Sequence, residues 1–290
     1  MPKEKTSFSQ KKIEQFGKYM PVKKNTKERS RKARTNKKLF KLQDAKVTVE
    51  IKGTGKPLLL LHSEDRYEFG AGFVEELAKK YRVIMPSMPG FNDSTLPDSV
   101  RTIEDMSYLY LDLLDEMKLQ NVLVLGFSVG GWLACEIATK NDSRLKKLIL
   151  VNPVGIKNRG PYDRDIEDIY YNQFAVVKKM KFHDISKDPR VLTDMTDAEA
   201  MSEAKAREST ARLCWDPYFH NPSLRYRLNR IKLKTLLIWG KNDGIVKPAY
   251  GRGYAKRIAG SKLVTIPKAG HFPHIEQEEE FMKQVRAFLR

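Results

Sequence analysis

The sequence predicts an α/β fold, a mostly parallel sheet flanked by helices, and three observations carry that prediction. Short apolar runs alternate with segments of helical period from residue 47 to residue 290, the pattern of a parallel sheet covered on both faces. A serine stands between two glycines, Gly126-Phe127-Ser128-Val129-Gly130, where an apolar run gives way to a helical pattern. Asp243 and then His271 follow two later apolar runs.

The elements are justified in chain order. Val47, Val49 and Ile51 alternate with polar residues up to Gly53-Thr54-Gly55, which reads as a strand ending in a tight turn. Residues 56–62 are a buried strand, Phe73, Leu77 and Ala78 mark a helix, and residues 81–86 form the next strand. Pro89-Gly90-Phe91 breaks the chain. Ile103, Met106, Tyr110, Leu113 and Met117 then lie on one helical face, ahead of a β-branched strand at 121–125. A helix over 132–140 repeats Leu133, Ile137 and Ala138 at helical spacing, and residues 146–153, 235–240 and 262–267 are further strands. Phe281, Val285 and Phe288 give a terminal amphipathic helix. Residues 156–230 interrupt the rhythm, with helical stretches near 165–178 and 198–213. They are too long for a connecting loop, and a helical lid inserted over the carboxyl edge of the sheet accounts for them.

With 290 residues the chain can bury a full core. No stretch approaches the roughly 20 apolar residues of a membrane-spanning helix, and the N-terminus lacks the apolar centre of a signal peptide. A cytoplasmic protein with no membrane span is therefore expected. Two cysteines, Cys135 and Cys214, build neither a disulfide framework nor a metal-ligand spacing. The net charge of +18 is uneven: residues 1–45 hold 15 Lys/Arg against 4 Asp/Glu, the rest 39 against 32. Residues 1–45 thus read as a basic, solvated N-terminal extension whose partner, if it has one, is a polyanion bound without sequence specificity. The core is expected over 46–155 and 231–290, with the lid at 156–230.

The chemistry centres on Ser128. A serine between glycines is by itself a common helix cap, and a loop aspartate or histidine is usually a turn former or a surface residue. Here the strand before Ser128 and the helix after it demand a sharp turn, which Gly126, Gly130 and Gly131 permit. A serine hydroxyl is a poor nucleophile until a histidine takes its proton. His271 supplies that base, preferred over His274 because Gly270 allows close backbone approach, and Asp243 holds its tautomer. An oxyanion hole is expected from the backbone N–H of Val129 and from the loop after Leu61, through Ser63 or Glu64. Trp132, Trp215, Tyr218 and Phe219 are candidates for the substrate pocket, since large aromatics supply most of an apolar pocket's area.

From about residue 46 to 290 the chain resembles the α/β-hydrolase superfamily, in its lid-bearing carboxylesterase-like and carbon-carbon-bond hydrolase branches. The resemblance rests on residues 58–62, Pro89-Gly90-Phe91 with Ser94, the elbow with Gly131-Trp132, Trp239-Gly240 with Asp243, and Gly270-His271 with Glu276. It implies an eight-stranded sheet, a serine triad, no cofactor and no metal, and a small-molecule carbonyl substrate. Ser128, where related proteins of another chemistry carry aspartate, argues against epoxide hydrolase and haloalkane dehalogenase reactions. Three positions depart from the family pattern: Ser63 where glycine is usual, and Ser87 and Asn92 around the Pro-Gly-Phe turn. The reading is a serine hydrolase of a small or medium apolar ester. Its alternatives are a carbon-carbon-bond hydrolase of a ketonic ring-fission product and a non-catalytic ligand-binding protein on the same scaffold.

Overall fold

The computed structural model describes residues 36–160 and 162–290. They form an eight-stranded sheet in the order β1-β2-β4-β3-β5-β6-β7-β8. β1 (Asn36–Leu42) and β2 (Ala45–Lys52) make an antiparallel hairpin, and β2 pairs antiparallel with β4 (Tyr81–Pro86). The others, β3 (Lys56–Leu61), β5 (Val122–Phe127), β6 (Leu145–Val151), β7 (Lys234–Gly240) and β8 (Lys262–Ile266), join β4 in parallel pairing. Their carboxyl ends therefore share one edge, which positions the site.

The sheet starts ahead of the boundary expected at residue 46. β1 occupies part of the stretch read as a solvated extension, because an outer strand needs no apolar alternation. Lys37, Lys38 and Lys41 stand along it, and only Leu42 is buried. Charged residues on an edge strand also block pairing with other chains. Residues 1–35 of that extension lie outside the described residues.

Two apolar layers cover the sheet. On one face α2 (Ile103–Glu116), α3 (Val129–Lys140) and α7 (Pro248–Arg257) bury Met106, Tyr110, Leu133, Ile137 and Tyr254 against alternate strand residues such as Leu59, Val124 and Leu150. On the other, α1 (Gly72–Ala78) and α9 (Glu278–Leu289) bury Phe73, Leu77, Phe281 and Val285 against Leu58, Leu125 and Ile149. Strand residues of period two thus feed both cores, the reason central strands are apolar throughout.

Between β6 and β7 stand α4 (Phe174–Lys181), α5 (Asp197–Cys214) and the short α6 (Leu224–Arg227). α5 matches the expected helix and opens on a capping box of Thr196 and Glu199. The helix expected over 165–178 does not form in its first half. Asp165 accepts from the Asn158 and Arg159 amides, and Asp168 accepts from Tyr170 and Tyr171. Aspartate side chains that bind backbone amides compete with the helical ladder, so α4 begins only at Phe174. After α6 the chain returns to the sheet, and α8 (Pro273–Glu276) follows β8.

The junction of β5 and α3 leaves no room for side chains. A Cβ on Gly126 would stand 2.6 Å from the carbonyl oxygen of Gly130, and one on Gly130 would stand 2.2 Å from that of Leu61. Both obstacles are backbone, so neither relaxes by a rotamer change. Gly130→Ala is expected to cost about 1–3 kcal/mol of stability, read as a lower urea midpoint; an unchanged midpoint would contradict this packing.

Candidate active site

Ser128 lies at φ 48° and ψ −113° between β5 and α3, a conformation that turns its side chain away from the sheet. Its N–H donates to Val151 O at 2.9 Å, which keeps the turn in register with β6, and its carbonyl accepts from Trp132 N at 3.1 Å. Val129 opens α3. As a first-turn amide its N–H has no intrahelical acceptor and points out of the helix N-terminus.

His271 and Asp243 arrive from the ends of β8 and β7. Ser128 Oγ lies 2.9 Å from His271 Nε2, and His271 Nδ1 lies 2.7 Å from Asp243 Oδ2. The other carboxylate oxygen, Oδ1, accepts from the amides of Ile245 at 2.8 Å and Val246 at 2.9 Å, so the aspartate is fixed on both sides. Burial pulls the His271 pKa down, but the charge of Asp243, its hydrogen bond and the charge of Glu64 outweigh this and hold it above the ordinary value. The three expected residues are thus brought together. The backbone beneath them is stitched by Asn152, at the end of β6. It donates to the carbonyls of Gly270 and His271 and accepts from Gly240 N. Sequence reasoning missed Asn152, although an Asn-Pro pair directly after an apolar strand marks a special turn.

The loop after β3 packs against the first turn of α3. His62 is neutral: Nδ1 donates to Ser63 O at 2.6 Å, Nε2 accepts from Met88 N at 2.9 Å, and burial lowers its pKa to about 4. Ser63 differs from expectation. Both its N–H and its hydroxyl donate to Glu68 Oε2 at 3.1 Å, so its amide is committed within the loop, which leaves Glu64 as the candidate for a second oxyanion donor. Behind the loop, Glu68 Oε1 stands 3.5 Å from His274 Nε2 with both groups fully buried. Burial raises the Glu68 carboxyl to about 7 and lowers His274 to about 3. His274 therefore faces Glu68, without a hydrogen bond to it.

The segment between β6 and β7 is tied down onto this edge. His271 N donates to Lys181 O at 2.7 Å, Gly244 N to Met180 O at 3.0 Å, and the Ser209 hydroxyl to Gly90 O at 3.1 Å. Glu276 joins the two by accepting from Gly270 N and Asp184 N. Ser128, Asp243 and His271 are each only 2–3% exposed. The aromatic candidates are not gathered around the serine. Trp132 is buried against Gly155, with its indole N–H on Glu136 Oε1. Phe219 is buried beneath Tyr218. Trp215 is more than half exposed, and with Tyr218 it lines a cavity of about 430 Å³ shared with Ile156, Asp165 and Asp168 rather than with Ser128.

Residues 56–278 match the family model described as the alpha/beta hydrolase fold. The chain belongs to the α/β-hydrolase family. This hydrolase is similar to Lipase 1 of Psychrobacter immobilis, 25% identical over 243 residues that cover 81% of this chain and 77% of the relative. It is also similar to the 2-hydroxymuconate semialdehyde hydrolase of Pseudomonas sp. strain CF600, 26% identical over 266 residues that cover 82% and 88%. Among solved structures, a bacterial membrane phospholipase A superimposes with a TM-score of 0.74 at 18% identity over 88% of this chain and 86% of that one, which shows the shared fold. Relatives named as a lipase, a methyl ester esterase and a 2-hydroxymuconate semialdehyde hydrolase support hydrolase activity on this fold. Among the described residues of this α/β-hydrolase no helix is long and apolar enough to cross a membrane.

The Glu68–His274 pair has a pH signature. A carboxyl whose folded pKa is raised from 4.5 to about 7 contributes stability that is fully present below 4.5 and is lost as pH rises through about 7. Glu68→Gln keeps an acceptor for Ser63 and offers an N–H to His274. Its stability advantage over wild type is expected to grow from pH 5 and level off above pH 7 at on the order of 3 kcal/mol, measured by thermal denaturation. An advantage that is absent or independent of pH would contradict the assignment.

Proposed function

We propose that this α/β-hydrolase is a serine hydrolase that cleaves a small or medium ester through an acyl-enzyme on Ser128. The observation that carries the reading is the continuous hydrogen-bond chain from Ser128 through His271 to Asp243, at 2.9 and 2.7 Å. Distances of this kind let a proton move in step with bond formation.

The steps follow from the atoms present. Ser128 Oγ attacks the ester carbonyl carbon while its proton passes to His271 Nε2, and Asp243 stabilises the resulting imidazolium. The carbonyl oxygen, now negative, accepts from Val129 N–H and Glu64 N–H, near the positive end of α3. Collapse of the tetrahedral centre breaks the C–O bond to the leaving alcohol, which takes the proton from Nε2. Water then repeats the sequence on the acyl-enzyme and frees the acid. The segment 156–230 acts as a lid in this reading. With the triad only 2–3% exposed, substrate enters as the lid lifts from the loop after β3, and its return excludes water.

The carbon-carbon reading uses the same triad and has support in the 2-hydroxymuconate semialdehyde hydrolase relative. Turnover of aryl esters set against turnover of a dienoic ring-fission product separates the two. Ser128→Ala is expected to lower kcat by at least about 10³-fold and Asp243→Asn by about 10⁴-fold, with KM little changed. His271 must be neutral to act as base, and its pKa is raised, so the acid limb of the wild-type kcat/KM profile lies above 6.5. In Asp243→Asn residual activity should have this limb at lower pH. An aryl esterase activity that survives Ser128→Ala would overturn the proposal.

A further inference from the structure

The side chain of Glu64 has no role in the steps above, which use only its amide. It is 94% buried, yet carboxylate Oε2 has no hydrogen-bond partner. The other oxygen, Oε1, stands 3.7 Å from Lys181 Nζ, which is itself paired more closely with Asp65. An unsatisfied carboxylate oxygen in the interior is costly. Its place in the fold points to the reacting centre: Glu64 stands in the loop whose Leu61 and His62 carbonyls press on the first turn of α3, and Lys181, which it approaches, accepts through its own carbonyl from His271 N. The orphan oxygen therefore lies in the buried layer that the His271 loop and the segment between β6 and β7 share.

The surrounding charges define what it accepts from. Asp65 pairs with Lys181 and Arg190, and Glu203 pairs with Arg190 and Arg66. With Glu64 the cluster holds three carboxylates and three cations, all partly or wholly buried, and is already neutral. An ammonium ion brought in as the missing donor would leave an uncompensated buried charge, whereas a hydroxyl supplies the hydrogen bond with no charge.

We infer that Glu64 is a specificity-determining residue whose free carboxylate oxygen accepts a hydrogen bond from a neutral hydroxyl on the acyl portion of the substrate, two or three carbons from the scissile carbonyl. The preferred substrates are hydroxyacyl esters rather than plain alkanoyl esters. This rests on the serine-hydrolase reading and narrows its substrate class.

The test compares 4-nitrophenyl butyrate, 4-nitrophenyl 3-hydroxybutyrate and 4-nitrophenyl 3-aminobutyrate on wild type, Glu64→Gln and Glu64→Ala. Wild type should favour the hydroxy ester over butyrate by about 10–100-fold in kcat/KM, the range for a hydrogen bond to a charged acceptor. Glu64→Ala should bring that ratio close to one, and Glu64→Gln, whose amide oxygen still accepts, should keep part of it. A structural role alone would lower all three rates together and leave the ratio unchanged, which would overturn the inference. A preference for the amino ester would equally overturn it, since it would show a cation site. Thermal shifts of Ser128→Ala with 3-hydroxybutyramide and butyramide separate this from the hydrolase reading. Selective stabilisation by the hydroxy amide without ester turnover in wild type would support the site and reject the hydrolase. Ester turnover with no such selectivity would reject the site alone.

Discussion

Ser128 is held at φ 48° and ψ −113°, a backbone conformation that costs a non-glycine residue about 1–3 kcal/mol and survives only where its surroundings over-determine it. Those surroundings are the parallel sheet. β5 is hydrogen-bonded on both sides, by β3 and β6, so the strand cannot relax the turn by shifting along its axis. α3 packs so closely that its first turn rests on the carbonyls of Leu61 and His62, at the end of β3. The strain, the glycines at 126 and 130 and the close packing of helix on strand are one device. It lifts a hydroxyl to the edge of the sheet and presents a helix N-terminus beside it.

A second constraint is electrostatic. This edge holds a cluster of titratable groups that are almost entirely out of water, and most of them are tolerable only through their neighbours. Asp243 is held by two backbone amides and an imidazole. Glu68 is held by Ser63, and Asp65 by two cations. The ion pairs that satisfy Asp65 and Arg66 come from the segment between β6 and β7, so docking of that segment and neutralisation of the loop after β3 are coupled. The positions that depart from the family pattern are part of this arrangement. Ser63 is matched by Glu68, while Asn92 donates to Ser87 Oγ and accepts from Arg66.

The chain order of the candidate site was legible because strand, turn and helix each have a local signature, and Ser128, Asp243 and His271 follow β5, β7 and β8, whose ends the parallel topology must bring to one edge. Interactions between distant segments were not legible. Asn152 acts through backbone groups of Gly240, Gly270 and His271, and nothing near it in the chain announces those partners. Trp132 has the composition of a pocket residue, yet its indole finds Glu136 one helical turn away and its ring covers Gly155. β1 was hidden by its lysines, since an outer strand gains its stability from ladder hydrogen bonds rather than from an apolar face. The early part of the 156–230 segment read as helix because spacing counts apolar residues and does not see Asp165 and Asp168 capturing backbone amides.

The central claim is that the strained turn presents an activated hydroxyl at Ser128 and nowhere else. Labelling of the folded protein with an active-site fluorophosphonate, followed by peptide mass analysis, tests it directly. The account predicts one adduct, on the peptide that carries Ser128, and loss of labelling when the protein is first unfolded in urea. A folded protein that takes up no label, or takes it up at another serine, would contradict it.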